Sequence, residues 1–247
     1  MSKTMQLTLI VGLLMLLMVV AMMGGLIESD RWKIQHLSVA ASYQRITPEQ
    51  LRLTIAKTPE RSFFRLDAEQ VKENIEAMAW VSNAHVVKQW PDTLNITVKE
   101  HQAVAVWNDK ALLNQKGDVF HVDKAEQSFG LPRLFGRDEN AVAQWADFNR
   151  FNQLLKPVGH EIGQAHVDER GDWRLILRNG LELILGTEQH EARILRLAET
   201  WEALLAESVR LPERVDLRYS NGYVVRWRVQ EEIRERTVED GDLLNHG

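Results

Sequence analysis

One uncharged stretch constrains this chain more than any other feature of its sequence. It runs from Leu7 to Ile27 and reads LTLIVGLLMLLMVVAMMGGLI. An α-helix rises about 1.5 Å per residue, so a helix of this length can cross a hydrocarbon core of about 30 Å. The sequence therefore predicts a transmembrane helix over residues 7–27, preceded by a short tail of residues 1–6.

A cleaved signal peptide is the alternative interpretation of the same stretch. Its apolar region would be shorter, and a small-x-small cleavage site would follow it. Here the stretch ends in Met22-Met23-Gly24-Gly25, without an Ala-x-Ala pattern. An uncleaved anchor is therefore favoured, although the few Lys and Arg residues on either side of it do not fix its orientation.

Composition removes several classes of function. The chain has 247 residues, a formal net charge of -5 and no cysteine. The absence of cysteine excludes disulfides, Cys-based zinc sites and a Cys nucleophile. No long basic run is present, so nothing favours a nucleic-acid partner.

The first region after the anchor, residues 32–100, predicts the order strand, helix, helix, strand, strand. Ile34 to Val39 is the first strand, and helix starts follow at Thr47 and Asp67, each with Gln three residues later. Two alternating strands then flank a turn at Pro91-Asp92. Such a domain buries one sheet face under two helices.

The second region, residues 101–229, predicts a mixed β domain with two helices. The first helix carries its apolar residues from Val142 to Leu155, and Thr187 is the predicted cap of the second. Between them lies a three-strand meander, whose strands are Ile162 to Val167, Trp173 to Leu177 and Leu181 to Leu185. The last residues, 230–247, are polar and charged and are predicted to be disordered.

The final strands predict a β-hairpin around RYSNGYVVRW, Arg218 to Trp227. Asn221-Gly222 suits a type I′ turn, which needs positive φ at both central residues. Alternation places Tyr223, Val225 and Trp227 on one face. That face either packs inward as core or presents its aromatic rings to a partner, and the pattern alone leaves both alternatives open.

The sequence singles out no catalytic or metal-binding constellation. His160 and His166 are the nearest look-alike, but a zinc-binding helix needs histidines at i and i+4, and here the spacing is six. We expect no metal, no cofactor and no enzymatic activity. A membrane-anchored hydrolase that uses these two histidines is the alternative.

Several blocks together resemble the FtsQ/DivIB family of bacterial cell-division proteins. The most specific is Lys88-Gln89-Trp90-Pro91-Asp92, preceded by Trp80-Val81 and followed by Val98-x-Glu100. Ala105-x-Trp107-Asn108 follows, and Val215 to Tyr219 runs into Gly222 and Trp227. The resemblance spans nearly the whole chain from the anchor to Trp227, and residues 32–100 resemble a POTRA domain.

The resemblance implies an α+β fold and a non-enzymatic scaffold of the division machinery. Members of this family bind FtsB and FtsL in the periplasm and connect early cytoplasmic division proteins with late septal-wall synthesis. The resemblance also implies a single-pass type II protein of the inner membrane at the division septum, with its bulk in the periplasm. The tail of residues 1–6 is shorter than in many members, so no binding role is assigned to it.

The resemblance also implies where partners bind. In the family, the last strands of the β domain are the platform for FtsB, which predicts Tyr219, Gly222 and Trp227 as contact residues. Arg196, on the preceding helix, is a further candidate that a partner carboxylate could pair with. An open edge at Ile34 to Val39 would offer upstream division proteins a second site.

Overall fold

The computed structural model describes the chain in five ranges, residues 11–22, 32–58, 60–123, 130–206 and 208–228. The chain divides into two compact units, residues 1–101 and residues 102–247. The predicted tails, residues 1–6 and 230–247, lie outside the described residues.

Residues 11–22 form a helix, α1, whose large apolar side chains are all exposed. Met15 is 70% exposed and Met18 is 73% exposed. Within the described ranges, no helix combines the length and the apolar character that a membrane crossing needs. The other residues of the predicted helix over residues 7–27 lie outside those ranges.

The rest of the first unit follows the predicted order of elements. It consists of β1 (His36–Ala40), α2 (Pro48–Ala56), α3 (Ala68–Glu76), β2 (Val81–Gln89) and β3 (Thr93–Glu100). In the three-stranded sheet, β3 lies in the middle, parallel to β1 and antiparallel to β2. β1 thus lies at an edge, and it begins two residues later than the predicted strand.

Both of these helices begin at the caps that the sequence predicted. The Gln50 backbone N–H donates to the Thr47 hydroxyl at 3.2 Å, and the Thr47 N–H donates to the Gln50 side chain at 2.9 Å. The Asp67 carboxylate accepts from the backbone N–H groups of Glu69 and Gln70. These bonds satisfy donors that the first helical turn leaves open, so each helix has a defined start.

The helices cover one face of the three-stranded sheet. Alternate residues of β3, namely Leu94, Ile96 and Val98, are 2%, 1% and 4% exposed. Val71 and Ile75 of α3 are fully buried in the same cluster. Period-two spacing in the strand and i, i+4 spacing in the helix bring these apolar surfaces together, as predicted.

The second unit is built on a nine-stranded sheet with the order β12-β11-β10-β9-β8-β7-β4-β5-β6. Its strands are β4 (Ala103–Trp107), β5 (Ala111–Asn114), β6 (Val119–Phe120), β7 (Arg133–Phe135), β8 (Ile162–Val167), β9 (Trp173–Leu177), β10 (Glu182–Gly186), β11 (Pro212–Asp216) and β12 (Val224–Trp227). Its helices are α4 (Ala141–Leu155) and α5 (His190–Ala206), with short 3-10 turns at Asp138–Asn140 and Lys156–Val158.

Two helical crossovers organise this sheet. α4 connects the parallel neighbours β7 and β8, and α5 connects the parallel neighbours β10 and β11. The two connections run in the same direction across the sheet, so the shared handedness of such crossovers puts both helices on one face. There they pack against each other over a single apolar core.

The connection between β11 and β12 differs from the predicted tight hairpin turn. Asp216 pairs with Val224, so residues 217–223 connect the two strands. Neither Asn221 nor Gly222 has the positive φ that a type I′ turn requires. The prediction of a two-residue turn was wrong because pairing with β12 ends at Asp216, while the Leu217 N–H still bonds the Ile184 carbonyl of β10 at 2.9 Å.

The predicted start of α5 was also wrong. Thr187 precedes the helix by three residues, and α5 begins at His190. Gln189, directly before it, has a φ of 54°, and the His190 ring bonds the Gly186 carbonyl at 2.9 Å. The side chain of His190 thus ties the start of the helix to the end of β10.

We predict that the core between sheet and helices dominates the stability of the second unit. Leu183 on β10 is fully buried, so Leu183→Ala removes packed methyl groups and leaves a cavity, at a cost of about 2–5 kcal/mol. The measurement is the urea midpoint of the full chain in detergent. The matched control is Leu195→Ala on α5, where the side chain is 43% exposed, and its midpoint should barely change. An equal fall of the urea midpoint in both variants would contradict the prediction that this core dominates stability.

Candidate functional site

The open edge of the nine-stranded sheet is the principal candidate site. β12 is the last strand in the order, and among the described residues it pairs only with β11. In the described part of the chain the sheet therefore ends in a strand that leaves backbone groups open on its outer side. The aromatic strand that comes last in the sequence thus lies at an edge of the sheet.

The backbone bonds fix which residues of β12 carry the open groups. The Arg228 N–H donates to the Leu211 carbonyl at 3.0 Å, so Arg228 faces β11. Successive residues of a strand direct their N–H and C=O groups to opposite sides. Arg226 and Val224 consequently face β11, whereas Val225 and Trp227 direct their backbone groups toward the open edge.

The side chains of β12 alternate between the core and the solvent. Tyr223, Val225 and Trp227 are half-buried and pack against the core of the second unit. Val224 is 56% exposed on the opposite face, where Arg226 donates two hydrogen bonds to the Glu213 carboxylate at 3.0 Å. For Trp227 the structure thus favours a packing role for the ring, while its backbone groups remain at the edge.

Arg196 brings two of the other predicted residues together. From α5 its guanidinium donates to the Tyr219 carbonyl at 3.1 Å and to the Gly222 carbonyl at 3.2 Å. The Tyr219 side chain is 56% exposed beside this junction. Arg196, Tyr219 and Gly222 therefore form one group at the start of β12, whereas Trp227 lies at the end of the strand, opposite Pro212.

A second ion pair, which the sequence analysis missed, shapes the same loop. Arg218 makes a two-pronged contact with Asp216, with its Nη2 2.6 Å from the carboxylate. The hydrogen bond from Arg218 lowers the pKa of Asp216, and the same pair raises the pKa of Arg218. The available signal was the i, i+2 spacing of opposite charges at a strand end, since such residues share a face.

A further bond outside the predicted set ties α5 to the loop. The Thr200 hydroxyl and the Tyr223 hydroxyl lie 2.6 Å apart. Together with Arg196, Thr200 connects successive turns of one helix to the end of the loop that leads into β12. The helix therefore helps to position the loop before β12.

The first unit has an edge of its own. β1 pairs only with β3 among the described residues, and Leu37 on it is 41% exposed. The predicted open edge around Ile34 to Val39 therefore exists in the three-stranded sheet. Just before β1 the other side of the chain is already used, because the Ile34 N–H donates to the Arg61 carbonyl at 2.9 Å.

The two histidines of the hydrolase alternative have separate aromatic surroundings. His160 packs edge-on against Trp201, with ring centroids 4.6 Å apart, and His166 stacks on Phe135 at 4.2 Å. Burial lowers the pKa of both rings. Within the described residues, no group of three or more potential ligands could hold a metal ion.

His166 also lines a cleft of about 530 Å³ on the second unit. Two of the carboxylates there, Asp168 and Glu182, take part in structural bonds. Asp168 accepts from the backbone N–H groups of Asp172 and Arg170, which lowers its pKa, and Glu182 pairs with Arg214. A general acid at neutral pH needs a raised pKa, so these contacts do not favour acid–base catalysis in the cleft.

We predict that His160 contributes to the acid sensitivity of the second unit. Burial lowers its folded-state pKa, so the folded chain disfavours the charged ring. Stability from this group is therefore present above the ordinary histidine value of about 6.5 and is lost as the pH falls toward the folded-state value. His160→Phe keeps a ring against Trp201, and its unfolding midpoint should fall less between about pH 7 and about pH 5 than that of the unmodified chain.

The control for this pH series is His85→Phe, because His85 is exposed on β2. The unfolding midpoint of His85→Phe should change with pH as that of the unmodified chain does. The assignment to His160 is wrong if His160→Phe loses as much stability on acidification as the unmodified chain does.

We also predict that Arg196 orders the loop before β12. Arg196→Ala removes both hydrogen bonds to the loop carbonyls, and bonds to a charged group contribute about 1.5–3 kcal/mol. Amide exchange over residues 217–223, measured by mass spectrometry, should accelerate about tenfold or more. Glu199→Ala, an exposed change on the same helix, should leave that exchange unaltered. Unchanged exchange in Arg196→Ala would mean that other contacts hold the loop.

Comparison with known families matches both units. The family described as "POTRA domain, FtsQ-type" matches residues 32–101. The family described as "Cell division protein FtsQ/DivIB, C-terminal" matches residues 105–218, a range that ends before β12.

Proteins named "Cell division protein FtsQ" are similar over most of the chain. That of Xanthomonas campestris pv. campestris is 32% identical over 229 residues, which cover 93% of this chain and 79% of that protein. That of Allochromatium vinosum is 33% identical over 202 residues, with coverage of 80% and 81%. That of Vibrio cholerae is 31% identical over 239 residues, with coverage of 91% and 89%. The fold of both units and these similarities lead to one conclusion: the chain belongs to the FtsQ/DivIB family of bacterial cell-division proteins.

Proposed function

We propose that this chain is a membrane-anchored, non-catalytic scaffold that binds FtsB, together with FtsL, by adding a partner strand to β12. The single observation that carries the proposal is the position of β12 at the end of the sheet, with the backbone groups of Val225 and Trp227 directed outward. An extended segment can pair with such an edge through main-chain hydrogen bonds. In this role the chain connects early, cytoplasmic division proteins with late septal-wall synthesis.

The predicted contact residues have different roles in this proposal. Tyr219 offers an exposed aromatic ring beside the edge, as side chains at binding hot spots do. Gly222 leaves room for a partner next to the loop, since nothing lies within 4 Å of a Cβ placed there. Arg196 positions the loop, and its charge can pair with a partner carboxylate. Trp227 acts mainly through its outward backbone, because its ring packs on the core.

The anchor is the second part of the proposal. A helix that is apolar on every side needs either a protein core or lipid around it. The described helix α1 is apolar throughout and exposed on every side, and in the sequence it lies within the uncharged stretch from Leu7 to Ile27. We propose that this stretch spans the inner membrane once, as a type II anchor, with the two folded units in the periplasm at the division septum.

The POTRA edge offers a further contact in the same scheme. Upstream division proteins would bind near β1, where Leu37 is exposed. Main-chain pairing is available there over β1 itself, beyond the bond from Ile34 to Arg61. The support is the edge position alone, which the fold of the first unit provides.

Blocking one outward N–H tests strand addition. Val225→Pro removes that N–H and adds a ring where a partner strand would lie, while the ladder to β11 uses the neighbouring residues. Retention of FtsB and FtsL by the full chain, measured by co-purification, should fall at least about tenfold. The matched control is Val225→Ala, which also truncates the side chain but keeps the N–H, and it should retain both partners.

Circular dichroism establishes whether each variant folds. If Val225→Pro does not fold, Tyr219→Ala provides the second test, because it leaves the backbone unchanged and should weaken binding. Tyr43→Ala, an exposed tyrosine of the first unit, is its control. Strand addition at β12 is refuted if a folded Val225→Pro chain retains its partners as well as Val225→Ala does.

A further inference from the structure

Four aromatic side chains of the first unit form a cluster close to the point where the chain leaves the apolar stretch. Trp32 lies 5.8 Å from Phe64 and 6.1 Å from Trp90, and Phe63 lies 5.6 Å from Phe64, measured between ring centroids. We call these four residues the aromatic cluster. They come from three separate parts of the sequence, so the fold of the first unit brings them together.

Backbone bonds fix the cluster in place. The Phe63 N–H donates to the Trp32 carbonyl at 2.7 Å, and the Ile34 N–H donates to the Arg61 carbonyl at 2.9 Å. On the other side, the Gln35 N–H donates to the Asp92 carbonyl at 3.0 Å. The segment that follows the anchor is thus held between two turns, and each turn contributes aromatic rings.

Lys88, on β2, supports the turn that carries Phe63 and Phe64. Its ammonium group donates to the carbonyls of Phe63 and Leu66, each at 3.0 Å, and lies 5.6 Å from the centre of the Phe63 ring. The turn that carries Phe64 is therefore tied to the sheet. The cluster is a built surface rather than a chance contact of surface side chains.

The outer rings of the cluster are open to solvent. Trp90 is 64% exposed and Phe64 is 49% exposed, and neither belongs to the buried core of the unit. Burial of such rings in the core would stabilise the fold, and here two of them are held in solvent instead. Adjacent exposed apolar side chains of this kind mark an interaction surface.

Chain length indicates what covers this surface. Trp32 follows Ile27, the last residue of the apolar stretch, by five positions. A chain spans at most about 3.3–3.6 Å per residue, so the cluster stays within about 18 Å of the end of that stretch. If the stretch spans a bilayer, the nearest large surface to the cluster is the bilayer itself.

We infer that the aromatic cluster rests in the membrane interface and orients the POTRA unit on the bilayer. Trp rings are enriched at this depth because they combine an apolar body with a polar N–H. Arg61 and Arg65 are exposed beside the cluster, where they can meet anionic headgroups, although Arg65 also pairs with Glu60 at 2.9 Å. This inference rests on the anchor proposed above.

The absence of cysteine makes a direct test possible. Single-cysteine variants of the full chain are labelled with an environment-sensitive fluorophore. They are reconstituted in vesicles of phosphatidylethanolamine and phosphatidylglycerol that carry nitroxide lipids. Trp90→Cys reports from the cluster, and Arg65→Cys reports beside it with all four rings in place.

Two further positions serve as controls. Ser82→Cys is exposed at the far end of β2, eight residues from Trp90 and so about 26 Å away along the strand. Met15→Cys reports on the anchor through nitroxides in the acyl chains.

We expect headgroup nitroxides to quench the probes at positions 65 and 90 several-fold more than the probe at position 82. If position 15 is quenched while positions 65 and 90 match position 82, the inference is overturned and the anchor stands. If position 15 is not quenched, the anchor fails and the inference fails with it.

If positions 65 and 90 are shielded from aqueous iodide but not quenched by lipid, a protein covers the cluster instead, which also overturns the inference. If Trp90→Cys does not fold, Arg65→Cys decides alone.

Discussion

An unpaired sheet edge is the constraint on which the proposed function depends. A strand that pairs on one side leaves backbone N–H and C=O groups open on the other, and in the described chain β12 has that position. Water can satisfy these groups one by one. A partner strand satisfies them together, in a fixed register, and brings its own side chains next to Tyr219 and Arg196. The edge thus supplies affinity through the backbone and specificity through its neighbours.

The contacts around the edge reduce the entropy that the loop before β12 loses when a partner binds. Arg196 and Thr200 hold the loop before β12 from the helix, and the Asp216–Arg218 pair fixes the loop at its beginning. Ordering a flexible segment costs about 1–2 kcal/mol per residue, so a loop that is already positioned makes association more favourable. The helix that crosses over the sheet therefore supports the core on one side and the binding edge on another.

Local sequence signals predicted the helices and most strands, because caps at Thr47 and Asp67 and the alternation in β8 and β9 act over few residues. They missed β7, which is three residues long and pairs with strands far away in the sequence. The Asn221-Gly222 dipeptide gave a wrong turn for a related reason, since Leu217 remains bonded to Ile184 of β10, a residue far away in the sequence. The final aromatic strand was predicted, but the contact of Arg196 with two loop carbonyls depends on the crossover, which no local pattern encodes.

Residue-resolved amide exchange of the full chain, free and bound to FtsB and FtsL, tests strand addition most directly. The amides of Val225 and Trp227 face the open edge, so they should exchange quickly in the free chain and become strongly protected in the complex. The amides of Val224 and Arg226 already bond to β11 and should change little. Partner binding that leaves Val225 and Trp227 unprotected, with new protection elsewhere in the second unit, would contradict the account.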